Sequence, residues 1–377
     1  MQKKILIHLG LFILTLITTT LAGAEWMFGK SWFFGEEVLS KKEFFQGFWY
    51  SIPFLGILTA HEFGHYFVAR KLKVNTSLPY YIPQWFFSFT MSLGTFGALI
   101  QIKDKINSRK KYFDIGLAGP LAGFIVCLFV LIYGYTHLPD PTFIYQIHPE
   151  YEQYGLDYPQ HVYAYDPADE NANLPIRVGG NLLMMLMEKV LVADPTKIPD
   201  PHEMIHYPLL FAGYLALFFT ALNLLPIGQL DGGHILYGLI GDKAHRIVSK
   251  FLFMGLLFLG GIGLINPGDS TQEIIIYSPL YLYFLYLCFY KMTNDRQERL
   301  FYAVIIFAMQ YFAKWLFPSF EGFTVWLVFM FVLGRFLGVY HPPTTDTAPL
   351  GKKRIILGWL AMVIFIISFV PQVLVFG

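Results

Sequence analysis

"SIPFLGILTAHEFGHYFVARK", residues 51–71, sets two histidines and a glutamate inside an apolar stretch that ends on Arg70 and Lys71. Its middle, HEFGH (His61 to His65), has the spacing of a zinc-hydrolase signature. On a helix, residues i and i+4 lie on one face, one turn apart. The imidazoles of His61 and His65 can therefore reach one metal ion. Glu62 then stands close enough to take a proton from a water whose pKa zinc lowers to about 7. Ionisable groups inside an apolar span are costly and mark functional sites. The competing reading has the histidines bonded to carbonyls at a helix end and Glu62 paired with Arg70. It leaves unexplained why these polar groups crowd into about one turn.

The rest of the chain shares this apolar character. Its 377 residues are 55% hydrophobic, 18% aromatic and only 14% charged, and the mean hydropathy is +0.49. Soluble domains carry about 25% charged residues, so the composition is that of an integral membrane protein. A net charge of +1 gives no basic field for nucleic acid. Cys127 and Cys288 both lie in apolar runs; they suit neither a disulfide framework nor a zinc ligand set.

A run of about 18–25 apolar residues can cross a bilayer as a helix. Such runs fall at roughly 5–24, 47–70, 114–135, 207–225, 247–265, 274–291, 300–317, 322–340 and 355–376. The first also has signal-peptide features, Lys3 and Lys4 before it and AGA before Glu25. Its long core fits an uncleaved helix better. A cytoplasmic N-terminus puts ARKLK, KDKINSRKK, DKAHR, NDRQER and GKKR inside or at the inner boundary. That bias obeys the positive-inside rule and leaves the C-terminus outside.

The fold class that follows is an all-α polytopic membrane protein with about nine transmembrane helices. Residues 1–42 read as an N-terminal helix and outer loop, 43–246 as the core and 247–377 as further transmembrane helices. Within the core, 136–206 is rich in Pro, Asp, Tyr and Asn and reads as a loop-rich extracytoplasmic cap. Near 86–102 the glycine-containing apolar sequence reads as a short β-hairpin or re-entrant segment. Such backbone is tolerated at membrane depth only where protein or a wet cavity covers it.

A third metal ligand is legible downstream, in NLLPIGQLDGGH (Asn223 to His234). By the topology, the span before it ends at the same membrane face as His61 and His65. Asp231 supplies a carboxylate there, while Pro226, Gly228, Gly232 and Gly233 interrupt the helix. Two histidines and a carboxylate leave the fourth tetrahedral position for water, which suits a catalytic zinc. Alone, LDGG reads as a turn; beside HEFGH, it reads as a ligand.

A second signature, HEMIH (His202 to His206), is confined between Pro201 and Pro208 on the outer side. At about 1.5 Å per helical residue, and allowing for the break near Pro226, Asp231 is expected roughly 30 Å from His206. No third ligand is evident near His202. HEMIH is read as an outer loop leading into a helix, with His206 at the interface. GLAGPLAG, Gly116 to Gly123, reads as small residues for close helix packing.

Together, HEFGH and NLLPIGQLDGGH resemble the site-2 protease family of intramembrane zinc metalloproteases. LGTFGALIQI, SRKKYFDIGLAGPLAGF, TALNLLPIGQLDGGH and HPPTTDTAPLGKKR are similar to a bacterial and plastid branch related to plant proteins of ethylene-dependent gravitropism. The resemblance covers most of residues 45–376. It implies a catalytic core of the second, third and fourth spans and cleavage in or near a substrate's transmembrane segment. It implies one zinc ion on His61, His65 and Asp231, Glu62 as general base, and Asn223 on substrate backbone or oxyanion. Many members carry a PDZ-like domain between the third and fourth spans, and none is read in 136–206.

The implied partners are a transmembrane protein substrate and the lipid bilayer. The expected location is a bacterial plasma membrane, with a chloroplast membrane as the alternative. The strand around Gly94 to Ile102 is expected to pair with an unwound substrate, so Gly94, Gly97 and Leu99 are candidate substrate contacts. A zinc-containing membrane transporter would scatter ionisable residues along several spans. A catalytically silent, partner-binding homologue would carry a broken motif. Neither pattern is seen. Oligomeric state has no signature in the sequence.

Overall fold

The computed structural model describes residues 2–34, 37–86, 92–164 and 176–376. Helix α1 (Gln2–Phe28) is followed by a short α2 (Lys41–Gln46), the long α3 (Phe48–Lys71), strands β1 (Tyr80–Pro83) and β2 (Thr95–Leu99), and α4 (Arg109–Thr136). Then come two 3-10 turns, α5 (Tyr158–Val162), β3 (Ile176–Val178), α6 (Leu182–Leu191) and α7 (Pro208–Leu224). The remainder is α8 (Asp231–Gly261), α9 (Thr271–Cys288), α10 (Arg296–Leu316), α11 (Val325–Val332) with a π-helical extension to Leu337, α12 (Lys352–Ser368) and β4 (Leu374–Phe376).

The molecule is thus mostly helical with two small sheets. Each apolar run read from the sequence overlaps a helix. Among the described residues three helices are long and apolar enough to cross a membrane, Lys4–Phe28, Arg109–Thr136 and Asp231–Gly261. Pro208–Leu224 and Val325–Leu337 are apolar but shorter. Two runs depart from the reading. The expected span 247–265 is the second half of α8, which begins at Asp231 and kinks at Gly241 (φ 80°, ψ 176°). The expected span 355–376 is helical only to Ser368.

The chain divides into two compact units. The first comprises Met1–Lys105, Ala118–Leu222 and Val363–Gly377. In it β1 and β2 pair antiparallel, with Tyr80 opposite Leu99 and Tyr81 opposite Ala98. The hairpin read near 86–102 therefore exists, with strands at 80–83 and 95–99; residues 87–91 of its connection lie outside the described residues. It runs alongside α1. His8 Nδ1 lies 3.0 Å from the Pro79 carbonyl near one end, and Trp26 Nε1 donates to the Ser92 carbonyl at 2.7 Å near the other. Between them Thr18 Oγ1 donates to the Gly94 carbonyl at 2.7 Å. Protein thus covers this irregular backbone on that side.

The C-terminal strand belongs to the same unit. β4 pairs antiparallel with β3, Arg177 opposite Val375, and Tyr214 Oη donates to the Val373 carbonyl at 2.7 Å. The tail therefore meets the 136–206 segment.

The second unit comprises Ile106–Leu117 and Asn223–Met362. Gln310 Nε2 on α10 donates to the Leu257 carbonyl of α8 at 2.8 Å. Arg354 on α12 grips Asp114 with two hydrogen bonds of 2.7 and 2.8 Å. After the π turn, the chain around Thr344 packs on the first turns of α8, where the Tyr237 and Thr344 hydroxyls lie 2.8 Å apart.

Candidate metal centre

The HEFGH residues sit as the helical reading requires. α3 carries His61, Glu62 and His65 through a buried stretch, each only 6% exposed. The two Nε2 atoms face one another at 3.0 Å, with ring centroids 4.7 Å apart and planes at 74°. Ligands held about 2.0–2.1 Å from a tetrahedral zinc stand roughly 3.3 Å from each other. The pair therefore fits a shared metal ion with little adjustment. Glu62 Oε1 lies 4.0 Å from His61 Nε2.

The room for these rings comes from α4. A Cβ on Gly119 would stand 2.1 Å from His65 Nε2, and one on Gly123 would stand 3.1 Å from His61 Cβ. GLAGPLAG is thus more than helix packing; it leaves the space that the imidazoles fill. The sequence held a signal for this, because Gly119 and Gly123 repeat the i, i+4 spacing of His61 and His65.

Asp231 and Asn223 belong to the second unit. Asp231 is half-buried and opens α8, where a carboxylate also suits the positive end of the helix dipole. It begins a helix rather than standing in an open loop. Asn223 is half-buried on the last turn of α7. Close by in sequence, His234 Nδ1 is 2.8 Å from His341 Nε2, and its ring stacks on Tyr112. Neither His234 nor His341 was singled out from the sequence, and nothing in its local spacing joins them.

The candidate substrate-strand residues differ in setting. Gly94 is buried against α1, with a Cβ position only 2.3 Å from Thr19 Cα. Gly97 is also buried, and its N–H and carbonyl both bond the Thr95 hydroxyl at 3.0 Å. Leu99 is 47% exposed. Among the described residues β2 pairs only with β1.

HEMIH forms no metal-binding face of its own. Only Met204–His206 is helical, as a 3-10 turn. His202 instead lies 2.6 Å from Asp200 and stacks on Tyr163. His206 turns to His148, Nε2 to Nε2 at 3.3 Å. The segment leads into α7 as read, but no local spacing joins His148 to it.

The family model described as peptidase family M50 matches residues 49–265, more than half of the chain. The chain belongs to peptidase family M50. It is 32% identical over 210 residues to "Probable zinc metalloprotease EGY1, chloroplastic" of Arabidopsis thaliana, covering 55% of this chain and 32% of that protein. It is 26% identical over 229 residues to "Probable zinc metalloprotease EGY2, chloroplastic" of Oryza sativa subsp. indica, covering 61% of this chain and 34% of the relative. This M50 chain thus spans about a third of the length of the curated relatives it matches. No solved structure gives a significant match.

Proposed function

We propose that this family M50 chain is an intramembrane zinc metalloendopeptidase that hydrolyses a peptide bond in or near the transmembrane segment of a membrane-protein substrate. The observation that carries the reading is the buried His61–His65 pair, its Nε2 atoms 3.0 Å apart, with Glu62 beside it on an apolar helix. His61, His65 and Asp231 would hold one zinc ion, two imidazoles and a carboxylate that leave the fourth position for water. When bound, zinc supplies Lewis acidity, lowering the pKa of a water and polarising a carbonyl.

Glu62 takes the proton of the attacking water and returns it to the leaving amine nitrogen. Burial strengthens this role, because few waters compete for the carboxylate. Asn223 supports the reading as an amide donor for the oxyanion or the substrate backbone. A transmembrane helix hides its amides in its own hydrogen bonds and must unwind before it can be cut. That β2 pairs only with β1 among the described residues supports strand addition as the means of holding the unwound stretch. About nine spans, a cytoplasmic N-terminus and a bacterial plasma membrane complete the proposal.

The test is Glu62→Gln beside wild type against a co-expressed, tagged transmembrane substrate. Cleavage should fall by about 10²–10⁴-fold, the usual weight of a general base. Undiminished cleavage overturns the proposal.

A further inference from the structure

The outer segment holds a second group of metal-competent side chains, away from HEFGH in sequence. His148, Glu203 and His206 each offer a ligand atom within 4.8 Å of the others. Glu203 is 1% exposed and His206 4% exposed. The two imidazole Nε2 atoms are 3.3 Å apart, and Glu203 Oε2 is 3.5 Å from His206 Nε2. These are the separations of ligands around a tetrahedral ion held at about 2.0–2.1 Å.

Hydrogen bonding fixes which atoms face the centre. His206 Nδ1 lies 2.7 Å from the Met27 carbonyl, which can only accept, so Nδ1 carries the proton. Neutral His206 then turns an Nε2 lone pair toward His148. His148 Nδ1 lies 3.1 Å from Glu150 Oε1, again an acceptor, so its Nε2 is likewise unprotonated when the ring is neutral. The Tyr163 hydroxyl donates to Glu203 Oε1, while Oε2 is buried without a hydrogen bond. Two lone pairs and a carboxylate oxygen thus converge with no donor among them. This is the outer-shell pattern of a metal site, where each ligand's second atom is tied to an orienting partner.

We infer that His148, Glu203 and His206 form a second metal site, for a divalent ion of the zinc type, on the outer segment. Two imidazoles and one carboxylate suit zinc and leave one position for water. His206 also lines a cavity of about 110 Å³ with His137, Phe143 and Tyr207, so solid packing does not seal the cluster. The ion joins residue 148 to the entrance of α7 and, through His206 and Met27, to the last turn of α1. It clamps a loop-rich segment rather than performing catalysis.

The experiment uses the full chain in detergent, loaded with zinc, desalted and measured by plasma mass spectrometry. In a His61→Ala, His65→Ala background about one zinc per chain should remain. Adding His148→Gln and Glu203→Gln should remove it. X-ray absorption on the His61→Ala, His65→Ala protein provides a readout that does not depend on the outer variants folding. Its zinc shell should contain two imidazoles and no sulfur. Loss of all zinc in that background, a shell with fewer than two imidazoles, or zinc retained after the outer substitutions overturns the inference.

Discussion

His341 Nε2 lies 2.8 Å from His234 Nδ1, which links the start of α8 to a segment more than a hundred residues further on. His341 Nδ1 is 2.6 Å from the Pro342 carbonyl and must carry a proton there. Nε2 of the neutral ring therefore accepts from the Nδ1–H of His234, which fixes the His234 tautomer. Tyr237 stacks on His341 with centroids 3.9 Å apart and planes at 7°. HPPTTD thus braces the first turn of the helix that Asp231 opens.

This brace responds to pH. Burial lowers the His341 pKa to about 4 in the folded protein, against about 6.5 for an unfolded histidine. Between those values the unfolded chain binds more protons, so stability is full above pH 6.5 and falls as pH drops toward 4. The loss amounts to about 3 kcal/mol. Thermal unfolding in detergent should show a midpoint falling across that window in wild type and a shallower fall in His341→Gln. Parallel curves for the two proteins would refute the assignment.

Gly119→Leu should empty the HEFGH site without touching a ligand. Its side chain would occupy the space beside His65 Nε2, where a Cβ alone comes within 2.1 Å. Zinc affinity should fall at least as far as on loss of an outer-shell partner, about 10–100-fold. Competition with a chelator measures this, and unchanged affinity would show that α4 does not shape the site.

Much of this site is legible in the sequence because its geometry is local. His61 and His65 are brought together by one helical turn, and the apolar flanks announce burial. Asp231 enters the reading through charge bias and span order rather than through local spacing. What escaped reading depends on distant contacts. His148 reaches His206 and His341 reaches His234 across long loops, and no periodicity records such meetings. The helices followed hydrophobic runs, yet run length misled at α8, where the amphipathic stretch from Asp231 joins the apolar one across Gly241. It misled again at 355–376, where Val373–Phe376 is equally apolar but finds β3 and Tyr214 as partners.

Gly94→Ala should destabilise the hairpin. Gly94 has φ +83°, where L side chains are strained, and its Cβ position lies 2.3 Å from Thr19 Cα. Strain and overpacking together should cost about 3 kcal/mol or more. Hydrogen exchange at β1 and β2 should accelerate while α8 to α10 remain protected. Equal protection in wild type and variant would mean that the hairpin does not depend on the α1 contact.

Leu99→Pro separates strand addition from a packed inner loop. Gly97 turns its N–H and carbonyl to Thr95 rather than to β1. Leu99 ends β2, and its N–H is the strand's last backbone donor. Proline removes that donor, and its ring would also hinder an incoming strand. The side chain itself is not the point, since Leu99 is 47% exposed. Leu99→Ala should therefore keep cleavage within a few-fold of wild type, while Leu99→Pro should reduce it more than about tenfold, the weight of one lost hydrogen bond or more. Zinc content should stay unchanged in both. If Leu99→Pro cuts the tagged substrate as fast as Leu99→Ala does, the substrate does not add to β2 at this position.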